Sequence, residues 1–170
     1  MDHLWSPWRY RYVTQDNSAE RDACIFCAKL NSNADRENLV LFRGAHCFGL
    51  LNLYPYTNGH LMIAPYAHVG RIEDLPEAEW IELMRYARLA ERNVRAVYRC
   101  EGLNLGFNVG SVAGAGIAGH IHLHVLPRWQ GDANFMSVIA ETRVHPESLE
   151  DSWSKLVACG WQLDAMPSVL

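Results

Sequence analysis

With 15 Lys and Arg against 19 Asp and Glu in 170 residues, the chain has a net charge of −4 and no basic footprint for nonspecific attachment to nucleic acid. Its composition, 49% hydrophobic and 20% charged, is that of an ordinary globular protein, and a chain of this length buries a substantial core. The longest apolar runs, such as Phe48-Gly49-Leu50-Leu51, are strand-sized, so no membrane association is expected.

Residues 1–23 form an arm whose MDHLWSPWRYRYV stretch is rich in aromatics and arginine; it is placed to pack across the body or across a partner subunit. Its start shows no charged region leading into an apolar stretch, so no signal peptide is expected. The core is expected over 24–135 and a C-terminal extension over 136–170, together one domain. The five cysteines are odd in number and irregularly spaced, which fits a reducing cytoplasm better than a disulfide framework.

Cys24-Ile25-Phe26-Cys27 opens the core. A lone C-x-x-C fits a redox pair, half of a metal site, or two ordinary buried thiols. After a polar turn at 31–38, three strands are predicted, Leu39 to Phe42, His46 to Leu53 and His60 to Pro65. The last two are joined through YPYTNG, whose Asn58-Gly59 marks a turn between antiparallel neighbours. Asp74-Leu75-Pro76-Glu77 reads as a capping box that starts a helix running from Leu75 to Arg99. Trp80, Leu83, Met84, Ala87, Ala90, Val94 and Val97 form its apolar stripe, and Arg85, Arg88, Glu91, Arg92 and Arg95 its polar side. Further strands follow at Leu103 to Val109 and His120 to Pro127, where proline is expected to end the ladder. A weaker helix is predicted from Glu147 to Ala158. This order predicts an α+β fold with an antiparallel sheet of about five strands, one long helix and a C-terminal helix.

The last strand carries the chemistry. In HIHLHVLPRW, alternation puts His120, His122 and His124 on one face and Ile121, Leu123 and Val125 on the other. Three neighbouring imidazoles titrate close to neutrality and are poor solubilising residues, so the row points to a metal site or to a nucleophile with its supports. Gly110 to Ile117, just upstream, can turn backbone N–H groups toward an anion, or simply be a flexible turn.

The segment His120-Ile121-His122-Leu123-His124-Val125-Leu126 resembles the signature of the histidine-triad (HIT) family of nucleotide hydrolases and transferases. Asn52, Gly59-His60, Pro65, His68 and Asn108-Val109-Gly110 match its other landmarks, over roughly residues 24–135. WSPWRY and PRWQGDANFM look most like a bacterial branch that includes diadenosine tetraphosphate phosphorylases. The resemblance implies a HIT-like fold and His122 as nucleophile, forming a nucleotidyl-histidine intermediate, with His124 and His60 at the α-phosphate. It implies a ribose contact at Asn52 and phosphate contacts at Asn108, Gly116 and Ile117. Phe48, Leu50 and Leu53 are candidates for the base pocket or for plain core. Trp129 is a candidate to stack on adenine across a dimer, and Arg128 to pair with an outer phosphate. Zinc-bearing relatives further imply a structural Cys2His2 zinc at Cys24, Cys27, His68 and His120, and no organic cofactor. One departure stands out: Ala115-Gly116-Ile117 replaces the Gly-Gln-Ser or Gly-Gly-Ser of many members, which removes a polar side chain from the phosphate.

The expected activity is cleavage of an adenine dinucleotide polyphosphate at the α-phosphate, with phosphate or water as acceptor, by a cytoplasmic homodimer joined through the long helix and the fifth strand. The competing readings are an adenosine phosphoramidate hydrolase, a non-catalytic nucleotide-binding regulator, and a hydrolase whose three triad histidines hold one catalytic zinc.

Overall fold

The computed structural model describes residues 24–132 and 147–163. The aromatic arm, Asn134, Phe135 and much of the C-terminal extension lie outside the described residues. In chain order the elements are α1 (Ile25–Leu30), β1 (Val40–Arg43), β2 (Cys47–Leu51), β3 (Leu61–Pro65), α2 (Glu77–Tyr98), β4 (Gly102–Phe107), β5 (Leu123–Arg128) and α3 (Leu149–Val157). The five strands form one antiparallel sheet in the order β1-β2-β3-β5-β4. The predicted α+β class and its element order hold.

Alternation along the strands sorts the sheet into two faces. Cys47, Leu51, Leu61, Ile63, Leu123 and Val125 point to α2 and α3, where they pack with Leu83, Leu89, Ala90, Val94 and Leu156. Phe48, Leu50, Met62 and Ala64 point the other way and form a smaller cluster with Phe26 and Val40. The Glu82 carboxylate, buried on α2, accepts the His46 and Cys47 backbone N–H groups at 3.0 and 3.2 Å and so ties the β1–β2 hairpin to the helix.

The long helix begins later than its sequence suggests. Asp74 closes a 3-10 turn at Ile72–Asp74, and Pro76 is the N-cap, with no side-chain capping bond. Leu75 precedes a proline, which disfavours its helical conformation; it is extended, at φ −78° and ψ 126°, and helix formation waits until Glu77. The C-terminal helix is capped as expected of a serine: the Ser148 hydroxyl accepts the Asp151 N–H at 3.0 Å.

Two prolines shape the functional strands. Pro127 does not end β5, which runs on to Arg128. Its carbonyl faces the β3 side, where Thr57 donates to it at 3.3 Å and β3 has already ended, so the missing N–H breaks no ladder bond. Pro65 has the opposite effect. Its neighbour Tyr66 bonds toward β2, through His46 O at 2.8 Å, so Pro65 itself faces β5 and has no N–H to give. The β3–β5 ladder therefore stops at Ile63 and Leu123. Of the three triad histidines only His124 lies inside β5; His120 and His122 precede it, although the strand was expected to start at His120. The fifth strand is also internal, paired on both sides, and cannot accept a partner's strand; among the described strands, β4 and β1 are the edges.

Candidate active site

His60, His122 and His124 converge on the sheet face opposite α2. Gly59 delivers His60 from the β2–β3 turn at φ +74°, a conformation costly for other residues, and a Cβ there would meet the Tyr98 ring at 2.3 Å. His60 and His124 are bonded Nε2 to Nδ1 at 2.9 Å, and the His122 and His124 rings lie edge to face with centroids 4.8 Å apart.

Groups of fixed role assign the protons on these rings. The Tyr56 backbone N–H can only donate, and it donates to His60 Nδ1 at 3.1 Å; the Asn52 amide nitrogen lies 3.3 Å from the same atom. The His60 proton therefore sits on Nε2 and is given to His124 Nδ1, which leaves the His124 proton on Nε2. The His120 carbonyl can only accept, so His122 Nδ1 carries its proton there, at 2.8 Å, and His122 Nε2 is a bare lone pair.

Burial keeps all three rings neutral. Loss of water pushes His60 down to about 3, with smaller contributions from His124 and His122. Burial, then His122, takes His124 down to about 4. Burial also lowers His122, against the opposing pull of its bond to the His120 carbonyl. The arrangement pairs an unprotonated imidazole nitrogen with a neighbouring N–H donor, the two groups a displacement at phosphorus needs.

His120 turns away from this group. Its Nε2–H donates to Pro65 O at 2.9 Å, the carbonyl left over by the interrupted ladder, and its bare Nδ1 faces Cys24 Sγ at 3.3 Å and Cys27 Sγ at 3.6 Å. His68 Nδ1 lies 3.3 Å from Cys27 Sγ. The four ligand atoms are within 4.8 Å of one another, a set able to hold a metal ion. The three triad histidines thus do not gather on one metal: the first belongs to the cysteine cluster, the other two to the neutral group.

The remaining predicted residues divide. Asn52 lies at the site with its amide toward His60, while its Oδ1 accepts the Tyr54 N–H at 3.0 Å. Phe48 is fully buried as core, in one cluster with Phe26, whereas Leu53 is 55% exposed. Asn108 follows β4, near Gly114, and Ile117 packs on the smaller cluster; Gly116 is exposed. In the glycine loop the Ala113, Gly114 and Ala115 N–H groups bond back to the Gly110 and Ser111 carbonyls, so those three donors serve the loop itself. Arg128 pairs with Asp132 and donates to Asn104 Oδ1 at 2.7 Å, and Trp129 lies against Tyr98 with its indole N–H donating to the Tyr98 carbonyl at 3.3 Å. Sequence reasoning missed Tyr56, which gives its backbone N–H to His60 and sets its ring 5.0 Å from the His60 ring, and Phe26, whose ring lies against two histidines distant in the chain.

A model of the HIT domain matches residues 33–131. The chain belongs to the HIT family. This HIT protein is an enzyme by its kinship: it is 40% identical, over 95% of its own length and 85% of the relative's, to a Mycobacterium tuberculosis protein named AP-4-A phosphorylase. Among solved structures, a zinc-bound histidine triad family protein from Mycobacterium smegmatis superposes with a TM-score of 0.66 at 26% identity, covering 81% of this chain and 93% of the other. A hypothetical histidine triad nucleotide-binding protein from Sulfolobus tokodaii, at 24% identity, shares the fold with a TM-score of 0.61 over 80% of this chain and 93% of its own. No helix among the described residues is long and apolar enough to cross a membrane.

Proposed function

We propose that the protein cleaves adenine dinucleotide polyphosphates, diadenosine tetraphosphate being the favoured substrate, through a nucleotidyl-histidine intermediate at His122. The observation that carries this reading is the 2.8 Å bond from His122 Nδ1 to the His120 carbonyl, which leaves Nε2 unprotonated inside the site. Nε2 attacks the α-phosphorus, the bond from that phosphorus to the α–β bridging oxygen breaks, and the remaining nucleoside polyphosphate departs. His124 Nε2–H stands ready to hydrogen-bond the departing oxygen, and His60 holds His124 in the tautomer that has that proton to offer. In the second step an oxygen of inorganic phosphate attacks the same phosphorus, Nε2 leaves, and ADP is formed. Kinship to the M. tuberculosis protein named AP-4-A phosphorylase favours phosphate over water as acceptor and a phosphoanhydride over a phosphoramidate substrate. On this reading Asn52 contacts the ribose hydroxyls, and Leu53, Asn108, Gly116 and Ile117 are the further nucleotide contacts.

A structural zinc fits the Cys24, Cys27, His68 and His120 set. Two thiolates and two imidazoles are the donors zinc takes in closed tetrahedral sites, and the Pro65 carbonyl fixes His120 with Nδ1 free to ligate. Bound there, the metal would cross-link α1 to the segment before β5. Five unpaired cysteines suit a reducing, cytoplasmic setting. A homodimer is supported by the outer edge of β4 together with exposed Ile81, Met84 and Leu105.

The deciding experiment is a product assay of diadenosine tetraphosphate with and without inorganic phosphate, joined to rapid quench of labelled substrate. The expected result is ADP only when phosphate is supplied, and an acid-labile label on His122. AMP release at the same rate without phosphate would make the enzyme a hydrolase, and a label absent from His122 would remove the intermediate.

A further inference from the structure

His122 lies one residue outside the β-ladder, so sheet pairing does not fix the residue assigned the attack. Its support comes from elsewhere. Ile121 N–H bonds to Val69 O at 2.7 Å, the His120 ring bonds to Pro65 O, and the His120 carbonyl takes the His122 Nδ1 proton. These bonds hold one edge of the His122 ring. The face of the ring is covered by Phe26, with centroids 4.7 Å apart and planes inclined at 38°. Phe26 is 1% exposed and also lies 5.1 Å from the His120 ring. Two rings that close are in van der Waals contact, so the imidazole cannot turn about its Cβ–Cγ bond on that side without striking the phenyl ring.

Phe26 is in turn held by its surroundings. It belongs to α1, a six-residue helix whose N-cap, Cys24, makes no side-chain capping bond, and a helix that short has little stability of its own. What fixes it is packing into the Val40, Phe48, Leu50, Met62 and Ala64 cluster, and the approach of flanking Cys24 and Cys27 to His120 and His68. Resting on the assignment of His122 as nucleophile, we propose that Phe26 is a positioning residue that holds the imidazole plane so that Nε2 stays aimed at phosphorus. Its phenyl ring has no hydrogen-bonding group, so its effect falls on the orientation of the imidazole.

The test is a graded series in the full chain, Phe26→Leu and Phe26→Ala, read by kcat, KM and the burst rate of the nucleotidyl-histidine. Imidazole 15N resonances of His122 are recorded alongside. Misplacement of a reacting group by about 1 Å costs on the order of 100-fold, so kcat is expected to fall about 5- to 10-fold in Phe26→Leu and about 100-fold in Phe26→Ala. KM should stay within about 3-fold, because uniform substrate binding is untouched. The 15N spectrum should lose its single Nδ1–H tautomer in the same order. Wild-type kcat and burst rate in Phe26→Leu would overturn the inference, as would a raised KM at unchanged kcat, which would make Phe26 a base contact. Phe26→Leu alone decides if the alanine variant does not fold. A parallel His122→Asn control separates the two claims: an inactive control with a fully active Phe26→Leu refutes only the positioning role, while an active control refutes the nucleophile assignment itself.

Discussion

The two faces of the sheet are built on different rules. The face toward α2 and α3 is mainly apolar and packs side chain against side chain, with Leu83, Leu89 and Val94 fully buried and the Glu82 carboxylate as a polar tie to the β1–β2 hairpin. The opposite face sets four buried or partly buried histidines on a small apolar floor, and each bonded ring nitrogen there meets a backbone group, another imidazole, an amide or a thiol. The first face tolerates chemical likeness; the second requires particular atoms at particular places. Substitutions should therefore separate stability from chemistry according to the face they touch.

The largest separation is expected from His122→Asn. Loss of the proposed attacking nitrogen should lower kcat by about 1,000-fold or more, with the thermal midpoint nearly unchanged, as checked by steady-state turnover and calorimetry. The mirror image is Leu89→Ala on the helical face. A fully buried leucine there should cost about 3 kcal/mol of unfolding free energy in urea melts while turnover per folded molecule is kept.

A smaller effect concerns pH. Burial lowers His60 from 6.5 to about 3 and His124 from 6.5 to about 4. Between those values the unfolded chain binds more protons than the folded one, so unfolding free energy rises with pH and is lost on acidification from about 6.5 downward. His60→Asn should flatten that acid limb, which stability measured by urea titration from pH 7 to pH 4 would reveal; an unchanged slope would refute the neutral assignment. The smallest effect belongs to neither face. The exposed Arg36–Glu150 pair should contribute less than about 1 kcal/mol, so Arg36→Ala should shift the urea midpoint little and turnover not at all.

The apolar face was the more legible of the two in the sequence. Apolar patterning, with turn signals between the runs, placed α2 and the five strands, because packing repeats with the geometry of the element. Element ends were less legible where a proline decided them. The same residue type stopped a ladder at Pro65, was neutral at Pro127 and delayed a helix at Pro76, depending on which way its missing N–H or its ring faced. The histidines announced themselves by alternation, yet alternation assigned all three to one row, whereas the interrupted ladder gives His120 a different partner set from His122 and His124. Tyr56 left no trace because neither its backbone donor nor the contact of its ring with His60 follows from any periodicity in the sequence. Phe26 was hidden because ring contact between residues 26 and 122 is a product of the fold, and the cysteines near it on either side point to metal chemistry instead.

Pro65 carries a consequence for engineering. Its ring nitrogen is the point at which regular pairing gives way to side-chain bonding, and it supplies the carbonyl that anchors His120. Restoring an amide hydrogen there by Pro65→Ala would invite the two strands to zip past Leu123, drawing Ile121 from the Val69 carbonyl and pulling His122, the proposed nucleophile, into a regular pleat. A substitution that improves the sheet as a sheet would then dismantle the enzyme, and designers who idealise strands in this fold should leave that imperfection in place.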